Sequence, residues 1–563
     1  MQDQPWFQHY PANTPHEVKY EELTLPGMLE KSRKLGPDTM ALHFIKCSMT
    51  YGQLGSEVDK FAAALVGLGV EPGMRVAVQL PNMPQNMIAF YAALSVGAVV
   101  VMTNPLYTLR EVKHQWSDAD VHVAITADFV WDQTLKNHQE ELAPKHFIIA
   151  SIPDYFSFPI SWLAKIKLKR QDPARWAPVQ SSASVHIYKD LMARSTGPVP
   201  KHKADWNDLA LLQYTGGTTG ASKGAMLTHK NLSCNVQQMT AWFQGIERGT
   251  TTMMTALPMY HVFGLTVCMA FSVYNGLKQV LIPNPRDFKA LALSLSEQKV
   301  NLFPAVPAMF NALNQWEGIG GLDLSSLTYC FSGAAPISDS ILKAFEERTS
   351  SRIMEGFGMT ETSPVAAANP LAGTRKVGSV GIPIPDTMIR IVDMEDGETD
   401  MEFGAEGEII IKGPQVMQGY WNRPEETAEA LQNGYMYTGD LGIMDEDGFL
   451  RIVGRKKDMI NCNGMKVYPD EVDAVLMEHP CILEAATIGV PNAKRGEAVK
   501  SYVVLRKGKK VSSEAILAFC TENLARYKVP RDVTFLDELP KSSVLKTLRR
   551  ELRAMEEQGP THS

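Results

Sequence analysis

Between Arg75 and Thr126 the hydrophobic and polar positions follow two alternating rhythms. RVAVQL, AVVVMTN and VHVAIT are short, nearly continuous apolar runs rich in β-branched residues, the signature of buried strands. PQNMIAFYAAL and LREVKHQWSD lie between them and read as helices. Strands alternating with helices predict right-handed crossovers and a parallel, doubly wound sheet. The alternation returns in LKQVLIP, FKALALSLSEQ, VNLFPAV and ISDSILKAFEER, which predicts a second such unit. From Gly378 to Val453 the texture changes. IRIVDMEDG, GEIIIKGP and GFLRIVG read as short alternating strands with turn signals, an antiparallel and barrel-like part. After Arg455, Lys456, Lys457 and Asp458 the α/β texture resumes in EVDAVLMEHP, EAATIGV, SYVVLRKG and SEAILAFCTENLA.

The fold class expected is therefore α/β. Residues 1–457 form a large amino-terminal region of two doubly wound subdomains plus the barrel-like part, about 378–453. Residues 458–563 form a small α/β carboxy-terminal domain. A length of 563 residues agrees, being too great for one hydrophobic core. The apolar run Met87 to Met102 is shorter than the ~18 residues of a membrane span and reads as a helix followed by a strand. Ser181 to Lys203, polar with Pro and Gly, reads as surface loop. Asp154 to Arg170 gathers Tyr155, Phe156, Phe158, Trp162 and Leu163 ahead of Lys165, Lys167, Lys169 and Arg170. That mixture suits either a membrane interface or an apolar loop packed on the body with a basic edge.

Charge and cysteine usage narrow the partners. A formal net charge of −7 argues against a nucleic acid partner, because phosphate binding needs a basic face. Seven scattered cysteines with no Cys-x-x-Cys pair read as reduced thiols, not a disulfide frame or zinc site. MQDQPWFQHY lacks the basic start and apolar run of a signal peptide, so a cytoplasmic protein is expected.

The strongest local signal is YTGGTTGASKG, Tyr214 to Gly224, following the apolar LALLQ. Glycines among small hydroxyl residues let backbone N–H groups converge on phosphate oxygens, and Lys223 adds charge. A Walker loop fails as an explanation, since Ser222 precedes Lys223 and Gly224 follows it. Four further segments follow in order: PMYHVFGL, FSGAAPIS, EGFGMTETSP and NGYMYTGDLG. GRKKD and PKSSVLKTLRRELR complete the series. Taken alone, each has a bland reading: a core histidine, a turn, a hairpin, a solvated basic helix face.

Together, over nearly the whole chain, they resemble the adenylate-forming superfamily of acyl-CoA synthetases, adenylation domains and luciferases. NPLYTLRE and the LPKSSVLKTLRRELR tail are similar to those of bacterial long-chain fatty acid–CoA ligases. The resemblance implies that Thr215, Gly216, Gly217, Thr218, Thr219, Gly220 and Lys223 cradle the phosphates of ATP. Gly333, Ala334, Ala335, Gly356, Phe357, Gly358 and Met359 would lie about the adenine, and Asp440 with Arg455 on the ribose. Glu361 and Thr215 would hold Mg²⁺. Thr360 would reach the α-phosphate, His261 the reacting carboxylate, and Lys546 would enter the site for adenylation. A mobile carboxy-terminal domain would swing about Asp458, bringing Gly464 and Lys466 to coenzyme A. Two positions depart from the usual pattern: Gly216, where serine is common, and Leu545, where glycine is usual.

The activity implied is activation of a fatty acid by ATP and Mg²⁺, then transfer of the acyl group to coenzyme A. A medium-chain or aryl acid remains an alternative substrate. A non-catalytic acyl- or nucleotide-binding protein on the same fold is the rival from another class. Contact with the inner face of an anionic cytoplasmic membrane and a homodimer are left open. The apolar segments around His261, with the small residues Gly264, Ala270, Ser272 and Gly276, suit an acyl tunnel or, equally, a core helix.

Overall fold

The computed structural model describes residues 4–195, 202–215, 222–462, 465–492, 496–542 and 545–557. The first α/β run forms a seven-stranded sheet in the order Val185–Ile187, His146–Ala150, Val121–Ala127, Arg75–Gln79, Val99–Met102, Leu209–Thr215, Lys223–Thr228. All its pairs are parallel except the last, a hairpin. The helix Pro84–Ser95 is buried at nearly every position, which is why its sequence lacks an amphipathic stripe. Leu109–Asp118 is bounded by a capping box of Thr108 and Glu111.

The second run forms a nine-stranded sheet whose interior strands are parallel. Met40–Phe44 with Cys47–Thr50 closes one edge as an antiparallel pair, and Val365–Ala368 with Ile382–Pro383 extends the other. Both α/β units thus carry antiparallel edges that the helix–strand alternation did not reveal.

Met388–Val392, Glu406–Lys412 and Tyr435–Met444 pair antiparallel in turn, and Leu431–Gln432 and Leu450–Arg455 both join Tyr435–Met444. Among the described residues this ladder does not close, so the part expected to be barrel-like is an open five-stranded antiparallel sheet. Buried apolar residues from Trp6 to Leu450 form one continuous cluster. Those from Ile460 to Val533 and from Ala486 to Leu552 form two others around a separate mixed sheet.

Two loop expectations need correction. Within Ser181 to Lys203, Val185–Ile187 adds an edge strand to the first sheet and Tyr188–Arg194 is helical. Tyr188 is buried at 1% exposure, and that one aromatic anchor outweighs the polar composition. Asp154 to Arg170 divides. Phe156 is buried, whereas Ile160–Lys169 is a helix with no buried residue, and Phe158, Trp162 and Leu163 are exposed. No helix among the described residues is long and apolar enough to cross a membrane.

Candidate active site

The two ends of the glycine motif, Tyr214 with Thr215 and Lys223 with Gly224, lie in the antiparallel strand pair ending the first sheet. Ladder register sets Thr215 opposite Lys223. Residues 216–221, including Gly216, Gly217, Thr218, Thr219 and Gly220, lie outside the described residues. The base of the hairpin is pinned from both sides by the helix Leu109–Asp118. Tyr214 Oη donates to Asp118 at 2.6 Å, and His114 Nε2 lies 3.0 Å from Ser222 O. Lys223 Nζ lies 3.6 Å from Glu426 and 5.4 Å from the Tyr420 ring centroid.

Tyr420 links this hairpin to the second nucleotide motif. Its hydroxyl donates to Glu361 Oε1 at 2.7 Å, and its backbone bridges Ala225. Thr360 and Glu361 are buried in a single 3₁₀ turn at the end of the strand Arg352–Gly358. Burial raises the pKa of Glu361 above the ordinary carboxylate value, against the Tyr420 hydrogen bond and the Arg455 charge, which lower it. No cluster of three or more His, Cys, Asp or Glu suited to a metal occurs among the described residues. A hard cation here would have few protein ligands, the pattern that suits Mg²⁺ shared with phosphates. Glu361 fits that need as a buried carboxylate with one oxygen held by Tyr420.

Asp440 and Arg455 face one another in register across two strands, with Arg455 Nε donating to Asp440 Oδ1 at 2.8 Å. The Asp440 charge is the main cause holding the Arg455 pKa up. Asp440 is 5% exposed, so a carboxylate with lone pairs to spare is fixed at the cleft wall.

Lys546 arrives from a different core. It neighbours both Arg455 and Asp440 electrostatically and lies close enough to His261 to depress that imidazole. Lys546 is crowded by protein without being shut off from solvent. Burial, then repulsion from Arg455, lowers its pKa to about 8, against Asp440 and Asp470. His261 is lowered to about 4, first by burial and then by the Lys546 charge. Phe263 N–H donates to His261 Nδ1 at 3.3 Å, which assigns the imidazole proton to Nε2. Asn82 holds this turn, accepting from Met259 N at 2.8 Å and donating to Leu257 O at 2.9 Å.

Ala334 and Ala335 are exposed where the strand Tyr329–Ser332 ends, at the carboxyl edge where ligands of such sheets bind. A Cβ on Gly333 would come within 3.1 Å of the Phe263 ring, joining this loop to the His261 segment. The remaining glycines have packing reasons. A Cβ on Gly358 would sit 1.8 Å from Pro364 O, and one on Gly356 3.2 Å from Ala367 O, because Val365–Ala368 pairs there. Phe357 and Met359 pack partly on the main core. Gly264 backs onto Pro258 O within the helical segment Phe263–Ala270, and Gly276 caps the helix Phe271–Asn275 in the left-handed region, so packing alone accounts for both glycines.

Gly464 lies outside the described residues, and Lys466 is exposed with its ammonium 3.9 Å from Met394 Sδ, away from the Asp440–Lys546 group. Asp458, 8% exposed, accepts from Arg553 Nη2 at 2.8 Å. Arg549 donates to Asp470 and Asp473, both at 2.5 Å. These arginines of the terminal helix are structural clamps rather than a solvated face. Sequence reasoning passed over them and over Tyr420. The only signal for the arginines was acidic residues at Asp470 and Asp473, about 80 positions upstream.

Residues 29–421 match the family model described as AMP-binding enzyme, and residues 471–546 match AMP-binding enzyme C-terminal domain. The chain is similar to a long-chain-fatty-acid–CoA ligase of Bacillus subtilis, 40% identical with 100% of each chain covered. Among solved structures, an anthranilate CoA ligase in complex with anthranoyl-AMP superposes with a TM-score of 0.83 at 25% identity, covering 95% of this chain and 97% of that one. ATP-bound MatB from Rhodopseudomonas palustris superposes at 0.80 and its apo form at 0.72, both 26% identical over 94% of this chain and 99% of that one.

Proposed function

Because this chain belongs to the AMP-binding enzyme family, we infer that it is a long-chain fatty acid–CoA ligase working in two half-reactions. A carboxylate oxygen of the acid attacks the α-phosphorus of ATP, the bond to pyrophosphate breaks, and acyl-adenylate forms. The coenzyme A sulfur, as thiolate, then attacks the acyl carbon and AMP leaves. The first step brings an anion to a polyanion, so cations and oriented donors must be fixed where charge builds. The observation that carries the reading is the meeting of Lys546, from a separate core, with His261, Arg455 and Asp440 in one cleft.

Lys546 supplies positive charge between the carboxylate and the α-phosphate. His261, neutral with its proton on Nε2, offers a hydrogen bond without adding charge. Asp440 accepts from the ribose hydroxyls while Arg455 holds it in place. Thr360 lies beside the α-phosphate, and Lys223 serves the distal phosphates. Glu361, with Thr215 adding a hydroxyl, would hold Mg²⁺, which when bound screens the phosphate charge. Asp458 is the hinge, residues 458–563 the moving domain, and Lys466 comes into use only after it turns. The two separate carboxy-terminal clusters support that division.

A chain-length series of acids, scored as acid-dependent pyrophosphate release without coenzyme A and as AMP formation with it, tests the reading. A rate maximum at a medium-chain or aryl acid would move the substrate. No pyrophosphate with any acid would leave only a binding protein.

The exposed helix Ile160–Lys169 adds a location to this reading. Phe158, Trp162 and Leu163 beside Lys165, Lys167 and Lys169 suit peripheral contact of a cytoplasmic enzyme with an anionic membrane. Anionic liposomes should bind at low salt and release as salt rises. Replacing the three lysines with Gln should weaken binding while turnover of a soluble acid holds, and no binding at low salt retires the idea.

A further inference from the structure

Leu545 stands directly before Lys546 with a backbone φ of +60°, the left-handed region that a branched side chain disfavours. The bonds imposing that angle are all internal to the carboxy-terminal segment. Leu545 N–H donates to Ser542 O at 3.0 Å, Ser542 N–H to Lys546 O at 2.8 Å, and Leu548 N–H to Pro540 O at 2.8 Å. Lys541 bridges Thr547 across the same turn. This local geometry travels with the segment wherever it goes.

The side chain behaves differently. Leu545 is half-buried against the apolar cluster of the main body, and it joins neither of the two carboxy-terminal clusters. Nearby, Arg550 comes within electrostatic reach of Tyr107 of the main body. A bulky apolar residue therefore occupies a conformation suited to glycine, and its apolar contact lies across the boundary between two bodies.

We propose that Leu545 is a positioning residue, a latch whose contact with the main body favours the pose that presents Lys546 to the acid and the α-phosphate. The backbone strain is common to both poses and cannot bias them. The side-chain contact exists in one pose only and does bias them. This inference rests on the reading that the carboxy-terminal domain alternates between two poses. The competing role is a mere stiffener of the lysine turn, which would make Leu545→Gly neutral or faster in adenylation.

The two roles predict opposite signs. A dye pair carried by encoded side chains at Lys34 of the main body and Lys509 of the carboxy-terminal domain, both exposed, reports the pose of the full-length enzyme. Leu545→Ala should reduce the ratio of docked to rotated molecules about five- to tenfold, roughly what losing half a leucine's burial implies. Acid-dependent pyrophosphate release should slow by a similar factor, while conversion of supplied acyl-adenylate and coenzyme A to thioester is unchanged or faster. Leu545→Gly, which relieves the strained turn and so is not at risk of misfolding there, should shift the ratio in the same direction. If both variants keep the wild-type ratio, or if Leu545→Gly speeds adenylation, the latch is overturned and the two-pose reading survives. A single distance in the wild type, alike with ATP and with adenylate plus coenzyme A, overturns the two-pose reading and the latch with it.

Discussion

Asp440 and Lys546 come to the same cleft by different routes. Asp440 is set by strand register, paired with Arg455 in adjacent strands and enclosed by the main core. Lys546 is set by a short turn belonging to another core, two separate apolar clusters away from the main one. In the proposed cycle, groups needed throughout the reaction, those gripping the nucleotide, sit on the wall that stays fixed. The group needed for one half-reaction would be carried in on the part that turns. Placing a charge on a mobile element confines its effect to one chemical step, and this contrast can be broken experimentally.

The largest expected effect is at Lys546. Lys546→Ala should lower acid-dependent pyrophosphate release about 10²–10³-fold, the scale seen when a transition-state charge partner is removed. The same preparation should convert supplied acyl-adenylate to thioester within about threefold of wild type. Equal loss in both steps would erase the distinction between the fixed and the arriving half.

Asp440→Asn should do the reverse and injure both steps alike. The half-buried Arg455 loses its charge partner and the ribose loses one acceptor oxygen, so the KM for ATP and for acyl-adenylate should each rise about 10- to 100-fold. A defect confined to adenylation would show that Asp440 is not part of a common nucleotide grip.

These contrasts also mark what the sequence could disclose. Arg75–Gln79, Pro84–Ser95 and Leu109–Asp118 were legible because strand and helix periodicities there coincide with burial and, at Thr108, with a cap. The individual motifs of the cleft were legible through resemblance, but their mutual arrangement was not. Glu361 and Tyr420 are 59 positions apart, and backbone bonds such as Met417 N–H to Glu361 O at 2.8 Å bring them together. Gly358 reads as a nucleotide glycine, and the Pro364 carbonyl adds a packing reason that the sequence does not disclose. The left-handed angle at Leu545 runs against its residue type, and the hydrogen bonds of its own turn override that preference.

Tyr420 sharpens the comparison from the fixed side. Tyr420→Phe keeps the ring beside Lys223 but removes the hydroxyl that orients Glu361. Losing such an outer partner of a metal-holding carboxylate should raise the Mg²⁺ concentration for half-maximal adenylation about tenfold. An unchanged Mg²⁺ titration would remove Glu361 from the metal.

The smallest effect separates the two halves by pH alone. An ordinary lysine stays charged until pH exceeds 10, but burial and Arg455 lower Lys546 to about 8. The active form is the ammonium, so its contribution is fully present well below pH 8 and is lost as pH rises through that value. Between pH 7 and 8.5 the protonated fraction falls about fourfold for a pKa near 8, and kcat/KM for adenylation, which reports the free enzyme, should fall with it. The thioester step has no such limb, because Lys546 has turned away and coenzyme A attacks as thiolate, which alkaline pH favours. His261, lowered to about 4, stays neutral across this window and adds no step of its own. The two half-reactions should therefore diverge above pH 8, one falling and the other rising. Lys546→Arg, whose guanidinium does not titrate there, should flatten the adenylation profile at whatever rate it retains. A profile that still falls in Lys546→Arg would assign the limb to another group, with Lys457, also lowered by burial, next in line.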